Sequence, residues 1–106
     1  IRPIGIWNTS NVTNMSFMFF GSGFNQPLEM WDTISVTNMS WMFASTEIFN
    51  QPLSMWNIRN VTDMNYMFNC AISFNQPLNK WNNINISQIN MFRRAESFDP
   101  NNWNKN

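Results

Sequence analysis

Apolar side chains return along this chain in a fixed order, separated by Asn, Ser, Thr and Gln. A Trp comes first (Trp7, Trp31, Trp56, Trp81), then Val or Ile (Val12, Val36, Val61, Ile86), then Met (Met15, Met39, Met64, with Ile89 in the last set). A Met-Phe pair follows (Met18-Phe19, Met42-Phe43, Met67-Phe68, Met91-Phe92). The phrase Phe-Asn-Gln-Pro-Leu closes the set at Phe24 to Leu28, Phe49 to Leu53 and Phe74 to Leu78. The four Trp residues lie 24, 25 and 25 positions apart, a period that marks repeat arrays.

Within a unit, spacings of three, three and one from Val through Met to Met-Phe break strict alternation. They predict a short strand at Val-Thr-x-Met running into a tight helical turn. β-branched Val and Thr suit the strand, and Met-x-x-Met-Phe holds helix formers enough for one short helix or 3₁₀ turn. Pro27, Pro52 and Pro77 have no N–H to donate and push Gln26, Gln51 and Gln76 into extended geometry, so the chain leaves helix there. The predicted fold class is an α/β repeat: a solenoid with one short parallel strand and one short helix or 3₁₀ turn per coil of about 25 residues.

Residues 1–106 read as a single segment, with a partial repeat over 1–6, repeats over 7–30, 31–55 and 56–80, and a shortened last repeat over 81–103. Pro3 to Trp7 line up with Pro27 to Trp31, so the chain is expected to be a piece of a longer array. The last unit loses one residue where Ile89 is matched to Met64. It loses two more where Phe98-Asp99-Pro100-Asn101-Asn102 replaces Phe74 to Lys80. Such degeneracy is expected of a capping unit whose outer face meets water.

Trp7, Trp31, Trp56 and Trp81, with Phe24, Phe49 and Phe74, are the expected core framework, and Met supplies adaptable filler. Cys70 shares a column with Ser45 and reads as a small buried filler. The chain holds no second Cys and no His, hence neither a disulfide partner nor an imidazole to activate the thiol. Asn25, Asn50, Asn75 and Asp99, beside Gln26, Gln51 and Gln76, are expected to stack as amide ladders that satisfy turn backbone groups. Asn8, Asn11, Asn14, Asn38, Asn60 and Asn85 each open an Asn-x-Ser/Thr triplet; in a chain this rich in those residues, composition accounts for most of the matches.

Six basic and six acidic residues cancel, which removes the electrostatic footprint of a nucleic-acid binder. Lys80, Arg93, Arg94 and Lys105 leave the C-terminal end mildly basic, as a solvated cap would be. No apolar run reaches the roughly 18 residues of a transmembrane helix, so this segment is not expected to insert into a membrane. Glu29, Asp32, Glu47, Asp63, Glu96 and Asp99 fall in scattered columns and offer no recurring acid and base pair. With no His and one Cys the preferred zinc ligands are missing. The expectation is a protein without catalysis, cofactor or metal.

Function then falls to a surface column. Thr13, Thr37, Thr62 and Ser87, next to Asn14, Asn38, Asp63 and Gln88, would form ranks on a strand face, either a binding rank or a solvated one. Phe17, Trp41 and Tyr66 give one aromatic per unit between polar neighbours. Such a ring is either half available for binding or an edge of the core. Ice binding by a second Thr rank is disfavoured, because Thr9 and Thr33 give way to Ile58 and Ile84.

The unit Trp-x-x-x-Asn-Val-Thr-x-Met-x-x-Met-Phe-x-x-Ala-x-x-Phe-Asn-Gln-Pro-Leu-x-x-Trp resembles the repeat of the BspA-like surface proteins, found in bacterial surface lipoproteins and cell-wall proteins, protists and large DNA viruses. The resemblance implies a leucine-rich-repeat-like, right-handed solenoid, and it carries no catalytic residues. It also implies an extracellular or cell-surface location, or a virion surface as the alternative. The expected function is a protein-interaction or adhesion module whose partners are a host-surface protein or glycan. The alternative is a passive spacer, stalk or coat component touching neighbouring subunits of an assembly.

Overall fold

A computed structural model describes residues 2–82 and 85–103. Ile84 and Lys105, which the sequence places in the second Thr rank and the basic end, lie outside the described residues. Successive units lie against one another in register. Met15, Phe17, Phe19 and Gly21 donate their N–H groups to the carbonyls of Asn38, Ser40, Met42 and Ala44 at 2.9 to 3.0 Å. Met39, Trp41, Phe43 and Ser45 do the same to Asp63, Asn65, Met67 and Asn69, and Met64, Tyr66, Phe68 and Cys70 to Ser87, Ile89, Met91 and Arg93.

The residues between these donors turn inward on their own unit. Met18, Phe20 and Ser22 donate to Met15, Phe17 and Phe19, and Met67, Asn69 and Ala71 to Met64, Tyr66 and Phe68. Each unit therefore alternates one bond to its neighbour with one tight turn, and satisfies its backbone without ladder or helix.

That pattern overturns the expected α/β leucine-rich-repeat-like solenoid. Among the described residues no strand runs longer than the isolated parallel bridges Asn14 to Asn38, Asn38 to Asp63 and Asp63 to Ser87. Among those residues the one helical element is a 3₁₀ turn at Pro100–Asn102, capped by the Asp99 side chain accepting from the Asn101 N–H. The body measures 31 × 31 × 19 Å, a compact globule rather than an elongated coil of strands and helices.

The physical reason lies in φ. Phe17, Trp41, Tyr66 and Asn90 have φ of 61°, 59°, 60° and 51°. Four residues later Gly21, Ser45, Cys70 and Arg94 have φ of 66°, 57°, 59° and 57°. Two left-handed residues four positions apart in each unit end any helix there before its first turn closes. Phe17, Trp41, Tyr66 and Asn90 each stand third in a four-residue turn closed by an i to i+3 bond, where a type II turn demands positive φ. Cys70, expected to be buried, is half-buried because it occupies the second of these turn positions.

The core is a set of aromatic files. Trp7, Trp31, Trp56 and Trp81 stack at 6.4 to 6.5 Å with interplanar angles of 12° or less. The Trp31, Trp56 and Trp81 indole N–H groups donate to the carbonyls of Ile4, Leu28 and Leu53. Phe19, Phe43, Phe68 and Phe92 form a second file at 5.5 to 5.7 Å, and Phe24, Phe49, Phe74 and Phe98 a third at 5.9 to 6.3 Å. Trp31, Trp56, Trp81, Phe49 and Phe74 are buried, as their assignment to the core requires. Trp7 is 55 % exposed and Phe24 half-buried, because they belong to the first unit and are covered from one side only.

The last unit is offset from the sequence alignment. Ser87 donates its N–H to Thr62 while accepting from Met64, so it fills the ranks of both Thr62 and Asp63. The missing residue therefore falls at Asp63. Gln88 then takes the rank of Met64, its carbonyl accepting from Met91 as the Met64 carbonyl accepts from Met67. Ile89, assigned by sequence to the buried Met column, is 60 % exposed.

Candidate interaction surface

The positive φ at Phe17, Trp41 and Tyr66 carries three side chains to the same flank, where they form a fourth file. Phe17 and Trp41 stack at 5.7 Å and 7°, and Trp41 and Tyr66 at 4.3 Å and 9°. Phe17 is 53 % exposed; Trp41 and Tyr66 are half-buried. Asn90 occupies the fourth place, its amide donating to the Tyr66 hydroxyl at 3.1 Å. Stacked rings hide their faces and present their edges, whose partial positive charge suits carbonyl oxygens and the faces of other rings.

One member of this surface escaped the sequence reading. Phe20 meets both Phe17 and Trp41 edge-on, at 5.7 Å and 6.1 Å, and is 47 % exposed. Its column continues as Ala44, Asn69 and Arg93, so no recurring aromatic marks it. The only signal was its place one residue before Gly21.

Thr13, Thr37, Thr62 and Ser87 form an exposed rank in which the last three hydroxyls are spent internally. Thr37 Oγ1 donates to the Thr13 carbonyl at 3.2 Å and Thr62 Oγ1 to that of Thr37 at 3.3 Å. Ser87 departs from the series and donates to Asn65 Oδ1 at 2.8 Å. A second Thr pair points inward: Thr9 and Thr33 are buried and donate to the Asp32 and Asn57 carbonyls. The structure thus separates the Thr rank from the aromatic file as a self-satisfied face.

The amide ladder stands on the Phe-Asn-Gln-Pro-Leu bends. Asn25 Oδ1 accepts from the Asn50 N–H at 2.9 Å and from Gln51 Nε2 at 3.1 Å, and Asn50 Oδ1 accepts equally from Asn75 and Gln76. Asp99 and Asn102 complete the series on Asn75 Oδ1 at 2.9 and 2.8 Å. Among the described residues no group of three His, Cys, Asp or Glu is placed to hold a metal ion, and no helix is long and apolar enough to cross a membrane.

No curated protein and no solved structure gives a match to this chain. A family model matches residues 2–105, nearly every position that builds these files and ladders, and the chain belongs to the family described as "Mycoplasma protein of unknown function, DUF285".

Proposed function

We propose that this chain is a binding module of the BspA-like kind, exposed at a cell surface and acting by adhesion to a host-surface protein rather than by catalysis. One observation carries the reading: three aromatic residues occupy positive-φ turn positions where Gly or Asn would fit at no steric cost. Each costs about 1 to 3 kcal/mol of strain, and strain of this kind collects at ligand sites. A half-exposed aromatic file has the character of interface hot spots. A protein ligand is favoured over a glycan, because sugars stack on ring faces and the central ring, Trp41, lies stacked between Phe17 and Tyr66.

The test uses the triple substitution Phe17→Gly, Trp41→Gly and Tyr66→Gly, since Gly keeps the turn geometry that Ala would strain. Far-UV circular dichroism and denaturant melts establish that the variant folds. Binding of parent and variant to animal-cell monolayers is then measured, with and without prior protease or glycosidase treatment of the cells. The expected result is a loss of at least about 2 kcal/mol, roughly thirtyfold in affinity, in the variant. Protease treatment should abolish parent binding and glycosidase treatment leave it intact. A folded variant that binds as well as the parent removes the file from consideration and leaves a passive spacer as the better reading.

A further inference from the structure

Two methionines stand apart from the others. Met30 is 87 % exposed and Met55 67 %, whereas Met15, Met39, Met42, Met64, Met67 and Met91 are each 2 % exposed or less. Met18 lies between the two groups at 42 %. Position explains the difference. Met30 stands third in the turn 28–31 and Met55 third in the turn 53–56, each closed by its Trp N–H donating to the Leu carbonyl, at 3.0 and 3.1 Å. Leu28, Trp31, Leu53 and Trp56 are buried, so each turn leaves and re-enters the core and holds its Met at the tip.

Neither tip owes its exposure to a missing neighbour. The turn 28–31 lies between the turns 4–7 and 53–56, and the turn 53–56 between 28–31 and 78–81, in step with the stacked Trp7, Trp31, Trp56 and Trp81. The Ser54 hydroxyl donates to Glu29 Oε2 at 3.0 Å and fixes the two turns side by side. Both Met side chains lie outside the core cluster, to which all six buried Met residues belong. A thioether at such a tip is open to any small oxidant dissolved in water, while a core sulfur is reached only when the chain opens.

We infer that Met30 and Met55 form a paired oxidation site, the first methionines of this chain to react with a hydroperoxide. The sulfur lone pair attacks one peroxide oxygen. An S–O bond forms, the O–O bond breaks, and the proton on the transferred oxygen passes to the departing hydroxide, giving water. Sulfur loses two electrons and the peroxide gains them, so each Met consumes one equivalent and becomes the sulfoxide. At the tips the new oxygen is hydrated at once, whereas in the core it would be a buried polar group without a donor. The pair therefore takes up two equivalents of oxidant while the aromatic files stay closed, and two apolar tips become hydrogen-bond acceptors.

Hydrogen peroxide treatment of the Cys70→Ser variant tests the site, the competing thiol being replaced by Ser as its column holds at Ser45. Digestion and mass spectrometry follow the oxidation of each Met with time. Met30 and Met55 should react roughly tenfold faster or more than any of the six buried Met residues. Urea below the unfolding transition should speed the six and leave Met30 and Met55 unchanged, since only the six need the chain to open. The near-ultraviolet circular dichroism of the stacked rings should persist when both tips are fully oxidised. The parent chain, mapped in the same way, should give the same order of Met reactivity and stands in if the variant does not fold. A buried Met that reacts in the folded chain as fast as Met30 or Met55, or a near-ultraviolet signal lost in step with their oxidation, overturns the proposal.

Discussion

Trp103 meets Trp81 edge-on, at 6.5 Å and 87°, where Trp31 and Trp56 lie parallel within 4° at the same pitch. The turned ring also closes on Phe92 at 5.4 Å and 63°. It ends the Trp file by laying a half-buried ring across it. Three deletions bring this about, since Leu78 now receives its backbone acceptor from Asn102 and the 3₁₀ turn at Pro100–Asn102 shortens the path back.

The file predicts unequal costs along its length. Trp56 is buried between two parallel indoles and bonded to the Leu28 carbonyl, so Trp56→Ala should cost about 3 to 5 kcal/mol. Trp103→Ala removes two edge contacts from a half-buried ring and should cost about 1 kcal/mol. Guanidinium titrations of both variants check this. Equal losses would show that the last ring is as deeply embedded as the central one.

Backbone geometry predicts a pair of opposite effects. Ser45 is exposed with φ 57°, and Gly21 has φ 66° with open space where a Cβ would stand. Ser45→Gly should stabilise and Gly21→Ala destabilise, each by about 1 kcal/mol, since only the left-handed penalty changes. Thermal melts by circular dichroism give both signs. A destabilising Ser45→Gly would mean that the unfolded chain's added freedom outweighs the strain.

These turns also explain where the sequence was readable. The Trp and Phe files and the Asn-Gln ladder were legible because a fixed period brings like residues over one another, whatever the backbone between them. The missing helix was not. Met-x-x-Met-Phe consists of helix formers, and the positive-φ positions are filled by Phe, Trp, Tyr, Ser, Cys and Arg, residues that normally avoid them. Only Gly21 and Asn90 carried the usual signal, and each sits where the column holds something else in other units. The rank of Ile89 was misread for a related reason. Its side chain matches the Met column, and only hydrogen bonding places the deletion two residues earlier.

The amide ladder predicts that acceptor capacity, and not the amide itself, matters at its central rung. Asn50 Oδ1 accepts from the Asn75 N–H and from Gln76 Nε2 at 2.9 and 3.1 Å. Asn50→Ala removes the one oxygen that accepts both bonds at an exposed bend and should cost about 1 kcal/mol. Asn50→Asp keeps two acceptor oxygens, as Asp99 does at the end of the series, and should lie within about 0.5 kcal/mol of the parent at neutral pH. Urea denaturation of the two variants distinguishes them. Equal losses would assign the stabilisation to the Asn50 Nδ2 group instead.

Register in the last unit gives the sharpest separation between sequence alignment and structure. Alignment by residue type puts Ile89 in the rank of Met64, a buried position where truncation to Ala costs about 2 to 5 kcal/mol. The hydrogen bonds put it one place further on, opposite Asn65, whose Oδ1 accepts the Ile89 N–H at 2.7 Å while the side chain points to solvent. Ile89→Ser should therefore change stability by less than about 0.5 kcal/mol, while Met64→Ala loses several times as much. The bond to Asn65 uses only the Ile89 main chain, so the substitution leaves it in place. A denaturant midpoint for Ile89→Ser close to that of the parent supports the register set by Ser87. A midpoint as low as that of Met64→Ala would return the deletion to the position the alignment chose, with Ile89 inside the core and Gln88 on the surface.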